Sequence, residues 1–127
     1  MVKMSMENAF EVAGGQFSED GSPYLSPVRV SQVLGVTQAE LAALIGVARN
    51  TLSAQSGARK VDAALSPVVR ILAMAAEMAG DEHRAAIWFK HQPIPGWAGK
   101  TAYDLVRERK AEKVLAYLEA VRSGVYA

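Results

Sequence analysis

Three polar residues follow Gly46 closely, at the predicted start of a helix: Arg49, Asn50 and Ser53. An arginine guanidinium can donate two hydrogen bonds to the edge of guanine, and an asparagine amide can pair in the same way with adenine. A serine hydroxyl can hydrogen-bond to several bases. The chemistry that this set suggests is recognition of base edges in the major groove of DNA.

Two pairs of residues near this set suit contacts with the DNA backbone. Thr37 and Gln38 lie at the predicted N-terminus of the preceding helix, where backbone N–H groups attract phosphate. Arg59 and Lys60 fall in a polar segment, 56–60, that is predicted to be a loop, and their charges would add to phosphate binding. An ordinary solvated surface is an equally good interpretation of Arg59 and Lys60.

The sequence offers little material for catalysis or metal binding. It has no cysteine, which excludes a disulfide, a thiolate ligand and a cysteine nucleophile. His83 and His91 are eight residues apart, roughly 80° around a helix, and lack the spacing of paired helical ligands. Since the sequence also shows no phosphate-binding glycine loop and no Ser-His-Asp signal, we expect no catalytic residue, no metal and no cofactor.

Charge and hydropathy narrow the class of protein. The 14 basic and 13 acidic residues almost balance, so any DNA contact must come from local basic groups and not from a general positive surface. The longest apolar stretches, such as 71–76, are far shorter than the ~20 residues that cross a bilayer. Since the first residues resemble neither a signal peptide nor a transit peptide, we expect a cytoplasmic protein that does not enter a membrane.

The segment from Thr37 to Leu52 has the features of a helix-turn-helix. Thr37 and Glu40 form a capping box that starts a helix, and Gly46 can take the positive φ that ends it. Val47 and Leu52 would anchor the second helix to the core, so that its polar face stands out toward a DNA groove. A helical hairpin that merely contains a glycine is the simpler alternative.

Helical signals continue along the rest of the chain, and no stretch alternates like a strand, so the predicted fold is all-α. Ser66 and Pro67 suit the start of a long helix that ends at Gly80, and Thr101 opens another helix. We predict three regions: a flexible N-terminal arm over 1–25, a helix-turn-helix bundle over 26–65 and a small helical domain over 66–127.

Both halves of the chain resemble parts of a known family. The residues around Gly46 resemble the phage-repressor-like helix-turn-helix, and the second half is similar to the toxin-binding domain of the Xre/MbcA/ParS antitoxins. The similarity extends from about residue 26 to residue 127. The residues that carry it in the second half are 75–82, Ala85, Trp88, the loop 93–97, 99–105 and the ending 124–126.

The resemblance implies an antitoxin of a type II toxin–antitoxin pair. Its partner would be a RES-domain toxin, which consumes NAD or uses it to ADP-ribosylate a target, and the antitoxin would neutralise this toxin by covering its active site. The pair would also repress its own operon by binding operator DNA. A stand-alone dimeric transcription regulator without a toxin is the alternative, and a toxin gene next door would exclude it.

A domain that neutralises a toxin needs rigid anchor groups that fill a pocket and charges that match the cleft. For Trp97 and Tyr126, closing the protein's own core is an equally good interpretation. The alternating charges over 107–113 are also typical of a solvated helix surface. The expected toxin-binding residues of the second half are Ile94, Trp97, Lys100, Arg107, Arg109, Lys113, Val125 and Tyr126.

A single recognition helix reads few bases, so we expect a homodimer that binds two half-sites about 34 Å apart. Either the apolar stripe over 66–79 or the N-terminal arm would supply the contact. Trp88 and Phe89, by contrast, are expected in the core. The arm contains four large apolar residues that suit docking on a partner: Met4, Phe10, Val12 and Phe17.

Overall fold

The computed structural model describes residues 17–19 and 22–124. Within this part, the chain forms seven α-helices and one short 3-10 helix, which confirms the predicted all-α fold. Two isolated antiparallel β-bridges are also present, and they pair Ser18 with Leu25 and Pro93 with Thr101. The helices are α1 (Pro27–Leu34), α2 (Gln38–Ile45), α3 (Arg49–Ser53), the 3-10 helix (Gln55–Gly57), α4 (Ala58–Ala79), α5 (Glu82–His91), α6 (Ala102–Arg107) and α7 (Ala111–Arg122).

The first two helices begin where the sequence predicts. α1 starts after Ser26, whose hydroxyl accepts a hydrogen bond from the N–H of Arg29 at 3.2 Å. α2 starts with the capping box of Thr37 and Glu40. Helices of eight residues are not stable alone, so their stability depends on what they bury. Their buried apolar side chains are Val30, Leu34, Leu41, Ala42, Leu44 and Ile45.

α4 is longer than the sequence predicts. The prediction placed a loop at 56–60 and a helix start at Ser66 and Pro67, but α4 begins before both and Pro67 lies inside it. The cap-then-proline signal misleads because Val61 and Leu65 are buried like the apolar residues after the proline. The apolar stripe therefore runs through Pro67 and keeps the segment before it helical.

The helix passes Pro67 without burying an unpaired backbone group. Proline has no N–H, so the carbonyl of Ala63 loses its partner within the helix. Ala63 is exposed, which leaves that carbonyl open to water. The hydroxyl of Ser66, the residue before the proline, donates to the carbonyl of Asp62 one turn earlier at 3.0 Å.

α4 is the central helix of the fold. It contacts α1, α3, α5 and α7, and the buried residues of both halves of the chain form one hydrophobic cluster around it. The predicted boundary at residue 65 falls inside this helix. Its own buried residues are Val61, Leu65, Val68, Val69, Ile71, Leu72, Ala73, Met74 and Ala75.

The N-terminal segment packs on the helices from Phe17 onward. Phe17 is 2% exposed, and its carbonyl accepts the N–H of Ser26 at 2.6 Å. Leu25 is also buried, and its N–H donates to the Asp62 carboxylate at 2.7 Å. The described part of the predicted arm is therefore held on the core, and Phe17 docks on its own chain. Three other apolar residues of the arm lie outside the described residues: Met4, Phe10 and Val12.

Two features bear on the membrane and metal expectations. Among the described residues, no single helix is both long and apolar enough to cross a membrane, and the segment Gln55–Ala79 passes that test only when joined to α5 across a bend of 114°. The same residues contain no group of three or more His, Cys, Asp or Glu side chains placed to hold a metal ion. His83 and His91 are both exposed on α5.

Truncating Phe89 should test the core between α5 and α6. Phe89 is fully buried and meets the ring of Tyr103 edge-on, with 6.1 Å between the ring centroids. We predict that Phe89→Ala lowers the free energy of unfolding by about 3–5 kcal/mol, because it leaves a cavity. Ile87→Ala, on the same helix but 47% exposed, is the control and should change it by about 0.5 kcal/mol or less. Urea denaturation followed by circular dichroism measures both, and equal losses would contradict the core described above.

Candidate functional site

The turn between α2 and α3 has the tight geometry of a helix-turn-helix. Gly46 takes a left-handed conformation with φ 78°, which residues with a Cβ adopt at a cost. The N–H groups of Gly46 and Val47 both donate to the carbonyl of Ala42, at 2.9 and 3.0 Å. The chain then enters α3 at Arg49, and Leu52 is the residue that α3 buries.

The predicted base-reading residues lie together on the outer side of α3. Arg49, Asn50 and Ser53 are all exposed, while Leu52 faces the core. With Leu52 turned inward, the polar side chains of this short helix point to solvent. The arrangement is the one that base recognition in a major groove requires.

The start of α2 is less suited to phosphate than the sequence suggests. The N–H of Thr37 donates to the Glu40 carboxylate at 2.9 Å, and the Thr37 hydroxyl accepts the N–H of Glu40 at 3.0 Å. The backbone hydrogen bond from Thr37 lowers the pKa of Glu40, so this carboxylate is charged at neutral pH. A phosphate placed beside Thr37 would meet that negative charge. Gln38 and Ser53, in contrast, line one open groove of about 380 Å³, whose other lining residues come from 19–28 and 52–61.

Arg59 and Lys60 lie on the first turn of α4 and not in a loop. Both are exposed, and this end of α4 follows α3 through the 3-10 helix. The two cations therefore lie at the same end of the molecule as Arg49. This placement suits a positioning contact with a DNA backbone.

The proline-containing loop of the second half, 92–101, is closed by its own backbone. The N–H of Ile94 donates to the carbonyl of Lys100 at 2.8 Å, and the N–H of Lys100 donates to the carbonyl of Trp97 at 3.0 Å. These bonds turn Ile94 into the core, where it is 1% exposed. Ile94 was expected to be an anchor group for a toxin, but the structure places its side chain in the protein's own core.

Trp97 combines the two interpretations that the sequence left open. Its ring is half-buried and packs against the core, and the ammonium of Lys110 lies over the ring, 5.5 Å from its centroid. Lys100 donates to the Glu108 carboxylate at 2.7 Å, and Lys110 lies 3.6 Å from the same oxygen. The loop is thus fixed to the turn between α6 and α7, and one part of Trp97 remains accessible.

The predicted cations of the second half divide into two groups. Arg107 and Lys113 are exposed, and Lys100 is half-buried in its ion pair. Arg109 is different, because its guanidinium donates to the carbonyl of Leu44 at 2.8 Å. Arg109 was expected to face a toxin, but the structure directs it to the end of α2. Val125 and Tyr126 lie outside the described residues.

An apolar groove between α4, α5 and α7 was not predicted from the sequence. The stripe over 66–79 was expected to be a possible dimer contact, but most of its apolar residues face the protein's own core. Met78 departs from that stripe and is 41% exposed. This departure is a signal that a helical wheel of α4 would have shown. The groove encloses about 230 Å³ and is lined by Ala75, Met78, Ala79, Trp88, Tyr117, Leu118 and Val121.

The contact between Lys100 and Glu108 should make the stability of the loop depend on pH. The hydrogen bond from Lys100, followed by the attraction of Lys100 and Lys110, lowers the pKa of Glu108 below its usual 4.5. A carboxyl with a lowered pKa contributes stability that is complete above the pKa of the unfolded chain and is lost as pH falls through the folded value.

We predict that wild type and Glu108→Gln differ in free energy of unfolding by a constant amount between about pH 7 and pH 5. This difference should shrink below the unfolded value of 4.5. Urea denaturation at each pH measures it. Glu112→Gln, on the exposed face of α7, is the matched control and should differ little from wild type throughout. A difference for Glu108→Gln that grows on acidification would contradict the ion pair.

Comparison with known protein families agrees with this arrangement. The family model described as the antitoxin Xre-like helix-turn-helix domain matches residues 15–69. The family model described as the antitoxin Xre/MbcA/ParS C-terminal toxin-binding domain matches residues 74–124. No curated protein and no solved structure matches the chain significantly. The first match ends and the second begins inside α4, and together they cover most of the sequence, so the chain belongs to the Xre/MbcA/ParS antitoxin family.

Proposed function

We propose that this antitoxin neutralises a RES-domain toxin by covering its active site, and that it represses its own operon by binding operator DNA as a homodimer. The observation that carries the DNA half is the turn at Gly46, which leaves Arg49, Asn50 and Ser53 exposed on one short helix. The family supports a toxin partner and DNA binding. The class of toxin, the dimer and the autorepression are our proposal.

Side-chain chemistry assigns each DNA-binding residue either a base contact or a backbone contact. Arg49 would read guanine and Asn50 adenine, while Ser53 would add a third contact. Arg59 and Lys60 would hold the backbone, with Gln38 and Thr37 at the edge of the contact. Because the whole chain is almost neutral, this local set must supply both affinity and selectivity.

A homodimer fits this arrangement, since one helix of five residues contacts only a few base pairs. Two copies that read half-sites about 34 Å apart would double the contacts. The exposed apolar groove that contains Met78 offers a surface for association, because the main stripe of α4 is already buried.

On the toxin side, we propose a surface formed by residues 66–127. Trp97 would be its central aromatic contact, because the closed loop presents the ring with little entropy left to lose on binding. Lys100, Arg107 and Lys113 would match acidic groups around a nucleotide cleft. Val125 and Tyr126 complete the proposed set, whereas Ile94 and Arg109 are left out because Ile94 is buried in the core and the Arg109 guanidinium donates to the carbonyl of Leu44.

We predict that Arg49→Ala weakens binding to operator DNA by about 1–3 kcal/mol and relaxes the preference for one base. The control is Arg84→Ala, because Arg84 is equally exposed but lies beyond the far end of α4. That helix has 22 residues and is therefore about 33 Å long. Fluorescence anisotropy with operator and random duplexes measures both variants. Wild-type discrimination by Arg49→Ala would refute the proposed site.

We also predict that Trp97→Ala, or deletion of residues 125–127, releases toxin activity in cells while operator binding stays intact. The reciprocal control is Arg49→Ala, which should lose operator binding and still protect cells. Co-expression with the toxin encoded by the neighbouring reading frame, followed by an NAD assay, provides the measurement. If that neighbour encodes no RES-type toxin, the class of partner is wrong and a stand-alone regulator is favoured.

A further inference from the structure

Arg109 connects the second half of the chain to the turn of the helix-turn-helix. It lies between α6 and α7, and its guanidinium donates to the carbonyl of Leu44 at 2.8 Å and to that of Val106 at 3.1 Å. A weaker contact reaches the carbonyl of Ala43 at 3.5 Å. One side chain thus joins the last turn of α2 to the end of α6.

The end of α2 needs such a partner. The last carbonyls of a helix have no N–H partner within the helix, and they carry the negative end of the helix dipole. The N–H groups of Gly46 and Val47 both donate to the carbonyl of Ala42. The carbonyls of Ala43 and Leu44 therefore accept from Arg109 instead. A guanidinium suits this role because its donors form a rigid planar fork that can reach two carbonyls at once.

Gly46 makes room for this contact. A Cβ added at Gly46 would overlap the guanidinium of Arg109. A Cβ at this position would therefore strain the backbone, because φ is positive, and would also displace the guanidinium. The sequence alone suggests only the first.

The backbone of Arg109 is itself held in an uncommon conformation. Its φ is 66°, in the left-handed region that residues other than glycine and asparagine rarely adopt. Hydrogen bonds on both sides hold it there, from the N–H of Arg109 to Val106 at 3.0 Å and from the N–H of Lys110 to Leu105 at 2.8 Å. Local strain that the surroundings maintain is typical of residues with a specific role.

α3 depends on the turn more than an ordinary helix does. It has five residues, no side chain caps its start, and Leu52 is the residue that it buries. Its direction is therefore set by the end of α2, by the three residues 46–48 and by its packing on α4 and the 3-10 helix. A contact that fixes the carbonyl end of α2 therefore helps to fix the angle at which Arg49 and Asn50 leave the protein.

We propose that Arg109 is a positioning residue for base recognition, which holds the recognition helix at its angle from the toxin-binding half of the chain. This inference rests on the proposed DNA binding. We do not place Arg109 among the DNA contacts, since its Nη1 donates to two carbonyls of its own chain. It should therefore affect the choice between sequences and not the electrostatic attraction to DNA.

The test uses Arg109→Asn in the full-length chain. Asparagine accepts a positive φ, so this variant removes the guanidinium and keeps the backbone conformation. We expect operator affinity to fall roughly 2- to 30-fold, the range for residues that act through another element. Affinity for random DNA should remain that of wild type. The dependence of operator binding on salt should keep its slope, because no phosphate contact is lost.

Two further variants complete this experiment. Arg109→Lys keeps the positive charge but lacks the planar fork of donors. Its preference for operator over random DNA should therefore stay close to that of Arg109→Asn. Arg84→Ala should keep the wild-type ratio between operator and random DNA. Binding is measured by anisotropy at several salt concentrations, with the folded fraction of each variant determined by circular dichroism.

The contact with Gly46 is tested separately in the same proteins. Gly46→Ala should shift the urea midpoint more in wild type than in Arg109→Asn, because only wild type has the guanidinium in the way. Equal shifts would show that the two residues do not meet in solution and would overturn the proposal.

The remaining outcomes are also decisive. A wild-type selectivity ratio in folded Arg109→Asn would make the arginine purely structural, and a salt slope reduced by about one would make it a phosphate contact. Either result overturns the proposal. If wild type itself does not prefer operator over random DNA, the proposed function fails first, and Arg49→Ala will then show no effect either.

Discussion

The packing of one long helix, α4, against α1, α3, α5 and α7 is the constraint on which this structure depends. α4 buries nine residues, and the hydrophobic cluster around it includes side chains from the helix-turn-helix and from the second half. The short helices at its two ends have too few residues to be stable alone. Their arrangement, including the exposed face of α3, therefore exists only while α4 is covered from both sides.

Local signals in the sequence predicted the helix boundaries of the first half because caps and glycine turns act over a few residues. Thr37 with Glu40 and the positive φ of Gly46 are decided within one turn of chain. Pro67 misled for the opposite reason, since its tolerance depends on burial along the whole of α4. Arg109 could not be placed from the sequence either, because its partner Leu44 lies 65 residues away.

In the candidate sites, too, features set by neighbouring residues were predicted and features set by the folded structure were not. The exposed set on α3 follows from helical periodicity, and the structure agrees that Arg49, Asn50 and Ser53 face solvent. The contact surface of the second half was harder to predict, because a loop residue can face either way. Ile94 turned inward through one backbone hydrogen bond to Lys100, whereas Trp97 kept part of its ring accessible. Only the folded loop distinguishes them.

The family comparison divides the chain into two modules, but the core does not. Because α4 contributes buried side chains to both, loss of either module exposes apolar surface on the other. We therefore expect the described part of the chain to unfold as one cooperative unit. The proposed DNA-binding face and the proposed toxin-binding face would then be lost together, governed by one free energy of unfolding and not by two.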